Sequence, residues 1–226
     1  MKYSEFLKLI PDSKIDICRA AFLEHKDKIQ IKKEAVVIKN LEKIFDATLK
    51  IGVSKGFQAM TMRDLSAGSG LSMGALYSYF SSKDEILSVY LGQGRKIVKQ
   101  VLEAFLVKEN DPVAKLETVI QIHLFLTEKM HQWFYFSYME AKNLNPEEME
   151  KSIQSELYTE KLVSDILIEG YKKNIFKDGD HVLGASVIKA MLQDWYLKRG
   201  KYARRKIGVD HYAQFIMAFV SAFYLV

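Results

Sequence analysis

Ser72 lies between Gly70 and Gly74 in GLSMG, the GxSxG spelling that exposes a hydrolase nucleophile on a sharp strand-to-helix elbow. That elbow needs a strand before it, whereas the residues preceding Gly70 read as a short helix, so Ser72 is not expected to be catalytic. His123 and His131 are eight residues apart rather than four, no acidic residue stands at a zinc-enzyme offset, and HExxH is absent. Glycine-rich phosphate loops are absent too, as are strands for them to follow. Isolated carboxylates such as Asp165 and Asp194 read as solvated faces or helix caps. The expectation is no catalytic residue, no metal ligand and no cofactor: the chain is not an enzyme. What remains is the chemistry of contact. Thr61 can cap a helix and leave its first backbone N–H groups and its hydroxyl to an anion, and Ser72 can cap a second helix.

These caps frame Thr61 to Phe80, TMRDLSAGSGLSMGALYSYF, which reads as two short helices about a tight turn. Leu65 faces inward in the first, Gly68 and Gly70 break it, and Leu76 and Phe80 share the buried side of the second. Met73, Ala75 and Tyr77 need not be buried. Helices this short do not hold in water alone, so a third leg must carry them. Val37, Leu41, Ile44 and Phe45 supply its apolar stripe, on a helix expected to end near Gly52. Gly52 and Gly56 bracket the connection, and Phe57 is placed to plug the top of the three-helix core. A probe helix on such a tripod suits a DNA major groove, which is wide enough to admit it.

Ser72 to Leu87, SMGALYSYFSSKDEIL, strongly resembles the DNA-binding signature of the TetR family of bacterial transcriptional regulators, and the likeness runs from about Val37 to about Tyr90. The resemblance implies an all-α, two-domain homodimer that binds a palindromic operator and is released by a small molecule, most often as a repressor. It also implies roles. Thr61 would offer its hydroxyl and nearby N–H groups to a phosphate, and Arg63 would reach the backbone or stay solvated. Ser72 would cap the recognition helix and touch phosphate, Tyr77 would grip the backbone through its hydroxyl, and Tyr79 would contact phosphate or pack. Lys83 would neutralise a phosphate. Met73 and Ala75 occupy the slots that meet base edges; apolar side chains there remove bidentate guanine reading and leave contact with thymine methyls. A helical ligand-binding or scaffold protein that has lost DNA binding is the alternative, and exposure of Tyr77 and Lys83 on one basic surface separates the two.

The chain has 226 residues, 49% hydrophobic and 27% charged, with three prolines, one cysteine and a net charge of +5. That composition is an ordinary globule's, and the charge is too small to identify a polyanionic partner. Cys18 excludes an intrachain disulfide and reads as a packing residue. There is no run of eighteen apolar residues and the start, MKYSEFLKLIPDSKI, lacks the apolar core of a secretory signal, so no membrane partner and a cytoplasmic location are expected. Residues 1–32 form an extension with seven Lys or Arg against five Asp or Glu. Pro11 divides it, and Ile15, Cys18, Phe22 and His25 share one side of a helix; it either packs as an extra helix or reaches DNA as an arm.

Residues 33–82 are the expected helix-turn-helix domain and 83–226 a ligand-binding and dimerisation domain. Ser82 can cap a long helix beginning at Lys83, long enough at about 1.5 Å per residue to link the two. Pro112 starts the next helix, and Asn145 can cap one beginning at Pro146, with Glu147 and Glu148 favoured by its dipole. Two closing helices are expected, His181 to about Lys198 and Val209 to about Tyr224. Their apolar stripes are too wide for one shared seam; the family resemblance implies that these two helices make the homodimer interface, the alternative being that they only complete the core. HQWFYFSYM is dense in aromatics. His123, Trp133, Phe134, Phe136, Tyr138, Met139 and Trp195 are the candidates for binding an apolar or amphipathic effector, although core packing explains any one of them equally well. Six of the nine residues from Lys198 to Lys206 are basic, which reads as a solvated turn or as a site for an anionic group.

Overall fold

The computed structural model describes residues 1–10, 13–24 and 33–226, and their architecture is all-α. The helices are α1 Tyr3–Leu9, α2 Ser13–Glu24, α3 Glu34–Lys55, α4 Met62–Ser69, α5 Met73–Tyr77, α6 Lys83–Leu106, α7 Pro112–Lys129, α8 His131–Glu140, α9 Pro146–Lys172, α10 His181–Leu197, α11 Arg199–Arg204 and α12 Val209–Tyr224. Several starts are set by side chains that accept the first free N–H groups, as Asp111, Asn145 and Asp180 do for α7, α9 and α10. Among the described residues no helix is long and apolar enough to cross a membrane.

Two compact units emerge. The head unit holds Ile10–Ile97 and Gln132–Met149; the C-terminal unit holds Met1–Leu9, Val98–His131 and Glu150–Val226. The division expected at Lys83 therefore falls inside the head unit. The Tyr90 ring of α6 lies tilted against Phe45 with centroids 5.0 Å apart, and α8 packs into the head helices. The extension is divided as well. Phe6 of α1 is fully buried in the C-terminal unit, centroid 5.5 Å from Phe125 and 6.0 Å from Phe105, and the Tyr3 N–H donates to Asp210 Oδ1 at 2.7 Å. α2 packs on α3 in the head, burying Ile17, Cys18, Ala21 and Phe22, whereas Ile15 is half-buried and His25 lies outside the described residues.

Two glycines read as helix breakers are packing positions instead. α3 continues past Gly52 to Lys55, because a Cβ at Gly52 would stand 2.5 Å from the Phe136 ring: the missing side chain admits α8. Gly68 stays inside α4, where a Cβ would come within 3.0 Å of Ile51 and 3.3 Å of Ala47 on α3. The residue that ends α4 is Gly70, at φ 69°, a left-handed conformation that costs glycine little.

The C-terminal unit is built on α7, against which α10 and α12 pack. The basic stretch, read as a solvated turn or a site for an anionic group, contains α11. Tyr202 of this helix is buried, its ring 5.2 Å from Trp195 and 4.7 Å from Tyr212, and its hydroxyl donates to Asp194. Asp194 also takes Lys198 and Lys201, which together with Tyr202 hold its carboxyl well below the usual range against its burial. Arg199 pairs with Glu128. Arg204, Arg205 and Lys206 stay exposed.

Candidate nucleic-acid interface

α4 and α5 stand on a satisfied core. Leu65 and Leu76 are fully buried, as are Phe57, Met60, Ile44 and Phe45 in the same unit. Phe80 is buried but lies beyond the end of α5, which stops at Tyr77; its ring is 6.1 Å from Phe45. Ser72 caps α5 by accepting the Ala75 N–H at 3.1 Å.

Thr61 caps α4 in a reciprocal box: the Asp64 N–H donates to Thr61 Oγ1 at 3.2 Å and the Thr61 N–H to Asp64 Oδ2 at 2.8 Å. The Thr61 hydroxyl also donates to Asp64 Oδ2 at 2.7 Å, so its proton is held by a carboxylate rather than offered to an incoming anion. Lys55 reaches the same oxygen at 2.7 Å, and Lys55 and Thr61 together hold the Asp64 carboxyl down at about 2. Lys55 was not legible as part of the site, since it reaches Asp64 from another helix.

The remaining candidates divide by exposure. Tyr77 is 52% exposed, and its hydroxyl makes no hydrogen bond among the described residues; Arg63 is exposed as well. Ser72 is exposed, and Met73 and Ala75 are half-buried on α5. Tyr79 takes the packing alternative: it is buried, its hydroxyl accepts from Asn40 Nδ2 at 2.8 Å, and burial pushes its phenol up. Lys83 is half-buried, with Nζ donating to the carbonyls of Gln58 at 2.8 Å and Phe57 at 3.1 Å and lying 5.0 Å from the Phe57 ring centre. It staples the α3–α4 connection to the foot of α6, and a phosphate would compete with those carbonyls for it.

The effector candidates fall in both units. His123 and Trp195 belong to the C-terminal unit, where both are buried; Trp195 Nε1 donates to Glu128 at 3.1 Å, and burial followed by the nearby Lys189 holds the His123 imidazole well below its usual value. Trp133, Phe134 and Phe136 are buried in the head unit. There the Trp133 indole sits where a Cβ at Gly94 would be, 2.1 Å from Nε1, and donates to the Tyr90 carbonyl at 3.3 Å. Tyr138 and Met139 are 48% and 46% exposed.

A short helix on a helical tripod, capped at its start and joined by a left-handed glycine, is a helix-turn-helix, and its exposed face carries residues suited to a phosphate backbone. Two family profiles match the chain: "Bacterial regulatory proteins, tetR family" over residues 44–89, and "Tetracyclin repressor-like, C-terminal domain" over residues 109–220. The chain belongs to the TetR family of bacterial regulatory proteins. It is similar to the uncharacterised HTH-type transcriptional regulator YwcC of Bacillus subtilis, 33% identical over 81 residues, or 36% of this chain and 34% of YwcC. The structure of the TetR-family regulator PfmR from Thermus thermophilus is 25% identical with a TM-score of 0.65, covering 79% of this chain and 94% of PfmR. That of the ketosteroid transcriptional regulator KstR2 of Mycobacterium tuberculosis shares the fold at 18% identity and a TM-score of 0.69, covering 88% and 98%. The matched stretches span 34% to 54% of the length of the curated relatives.

Proposed function

We propose that the chain is a ligand-responsive transcriptional repressor that binds a palindromic DNA operator as a homodimer and is released by a small apolar or amphipathic effector. The observation that carries the DNA reading is Tyr77, half exposed on α5, with its hydroxyl making no hydrogen bond among the described residues. Tyr77, Arg63 and the α5 N-terminus would hold phosphates, Lys83 joining them when it leaves its carbonyls, and Met73 and Ala75 would meet base edges. Selection of bound sequences from a random DNA pool tests this. Tyr77→Phe is expected to weaken operator and unrelated DNA alike, roughly tenfold for a lost bond to a charged group. Met73→Arg is expected to change the selected bases, since it adds donors able to pair with guanine. A pool with no enriched sequence would favour the ligand-binding or scaffold alternative.

Dimerisation through α10 and α12 is supported by an apolar face exposed on both. Val182, Leu183 and Val187 on α10 and Phe215, Phe219 and Phe223 on α12 are each more than half exposed, and a groove of about 420 Å³ lies among several of them. Contiguous apolar surface of this kind marks an interface, and two heads match two half-sites. Phe219→Glu is expected to give monomers in sedimentation at a concentration where the wild-type chain is dimeric. A dimer that persists at unchanged affinity would remove these helices from the interface.

A further inference from the structure

Lys189 is a lysine in the interior. It lies on the inward side of α10, only 7% exposed, among helices whose buried residues are otherwise mostly apolar. Its ammonium donates to Thr159 Oγ1 of α9 at 2.6 Å, while Thr159 gives its own proton to the Glu156 carbonyl at 2.8 Å. An ammonium carries three donors, and this is the hydrogen bond that Lys189 makes among the described residues. No carboxylate there comes within ion-pair distance of it. Glu156 and Glu160 of α9 are close enough to act on its charge, but they receive hydrogen bonds from Gln193 and Ser186. Burial pushes Lys189 down to about 8, the two glutamates opposing that shift, and its charge in turn acts on buried His123 of α7. Three helices of the C-terminal unit thus converge on a buried cation with donors to spare.

Burying a cation without a close counter-charge costs several kcal/mol, and hydrocarbon of the same length would fill this place without that cost. We propose that Lys189 is the anion-recognising pole of an effector site in the C-terminal unit, and that its ligand is a small monocarboxylate with an apolar tail. This rests on the effector-responsive reading above. The two remaining N–H donors match the two oxygens of a carboxylate, whose bond to an ammonium is charge-assisted. A monoanion fits better than a phosphate ester, because Lys189 is a single cation and Glu156 and Glu160 already contribute negative charge nearby. Ile120 and Leu124 on α7, Val163 on α9 and Leu192 on α10 are buried on the same helices and suit an aliphatic tail.

Calorimetry on the full-length chain with octanoate, octan-1-ol and octyl phosphate tests the assignment. Octanoate is expected to bind at least tenfold more tightly than the alcohol and more tightly than the phosphate, and Lys189→Met, checked for native circular dichroism, is expected to erase the preference over the alcohol. Lys189→Arg keeps the charge and should retain part of it. Equal binding of acid and alcohol, a preference for the phosphate, octanoate affinity unchanged in Lys189→Met, or no octanoate binding at all overturns the proposal. DNA selection by the same preparations separates the two readings. An enriched operator with no carboxylate preference sinks the anion pole alone, whereas Lys189-dependent octanoate binding with no enriched DNA sinks the repressor reading alone.

Discussion

Replacing Glu148 with Ala is expected to destabilise the head unit by about 3–5 kcal/mol, the range for breaking a buried ion pair from one side. Glu148 sits in the first turn of α9 with its side chain 5% exposed, and it accepts from Arg95 Nη2 at 2.7 Å and from Ser88 Oγ at 2.7 Å. Arg95 is itself only 13% exposed, so the truncation removes a carboxylate that this largely buried guanidinium donates to at 2.7 Å. Removing both charges is a different matter, because the desolvation cost disappears along with the attraction. The double replacement Arg95→Met with Glu148→Met should therefore recover most of the loss. Urea unfolding of the wild type, both single variants and the double gives the coupling directly. Strictly additive losses would mean that the pair is not what fixes the start of α9 to α6.

Lys189→Met is expected to act in the opposite direction, stabilising the chain at neutral pH by on the order of 1–3 kcal/mol. The sign follows from proton uptake. In the folded chain Lys189 is pushed down to about 8 from an ordinary value of 10.5. Below about 8 it is charged in both states and the fold bears the whole cost of the buried charge. Between about 8 and 10.5 the unfolded chain holds the extra proton, so stability rises with pH; above both values the cost is gone. The charged and titratable groups acting on it are Glu156 and Glu160 from α9 and His123 from α7. His123 works in another window: its value is also lowered, so it removes stability only as the pH falls below its ordinary 6.5. Chemical denaturation from pH 7 to 10.5 should show the wild type gaining stability and Lys189→Met remaining flat by comparison. A wild-type curve without that rise would mean that the ammonium is better compensated than its surroundings indicate.

Much of the head was legible because its determinants are local. A serine or asparagine before a helix accepts an N–H three residues on, so Ser72, Ser82 and Asn145 could be placed as caps from spacing alone, and the structure has all three accepting that bond. The stripe Val37, Leu41, Ile44 and Phe45 is buried for the same reason. What the sequence concealed depends on partners distant in the chain. Gly52 looks the same on paper whether it ends a helix or admits Phe136. Glu148 has a sufficient local explanation in the α9 dipole, which hides its pairing with Arg95. The run from Lys198 to Lys206 looks solvated until Asp194, Glu128 and the Trp195–Tyr202–Tyr212 cluster are brought against it, and α11 follows from them. Lys189 is hidden in the same way, because one lysine in an apolar helix ordinarily marks a solvent-facing position.

Trp133 and Phe136 each occupy the space of a missing side chain, at Gly94 and at Gly52. Close-packed interiors do not stretch to admit an extra methyl group against a ring. The two aromatics and the two glycines are therefore joined in their inheritance. An ancestor could enlarge residue 52 or 94 only after its partner on α8 had shrunk, and a smaller residue on α8 would first have to pass through a hollowed intermediate. Drift at these four positions is therefore expected to proceed in pairs, by the rarer route of compensating changes.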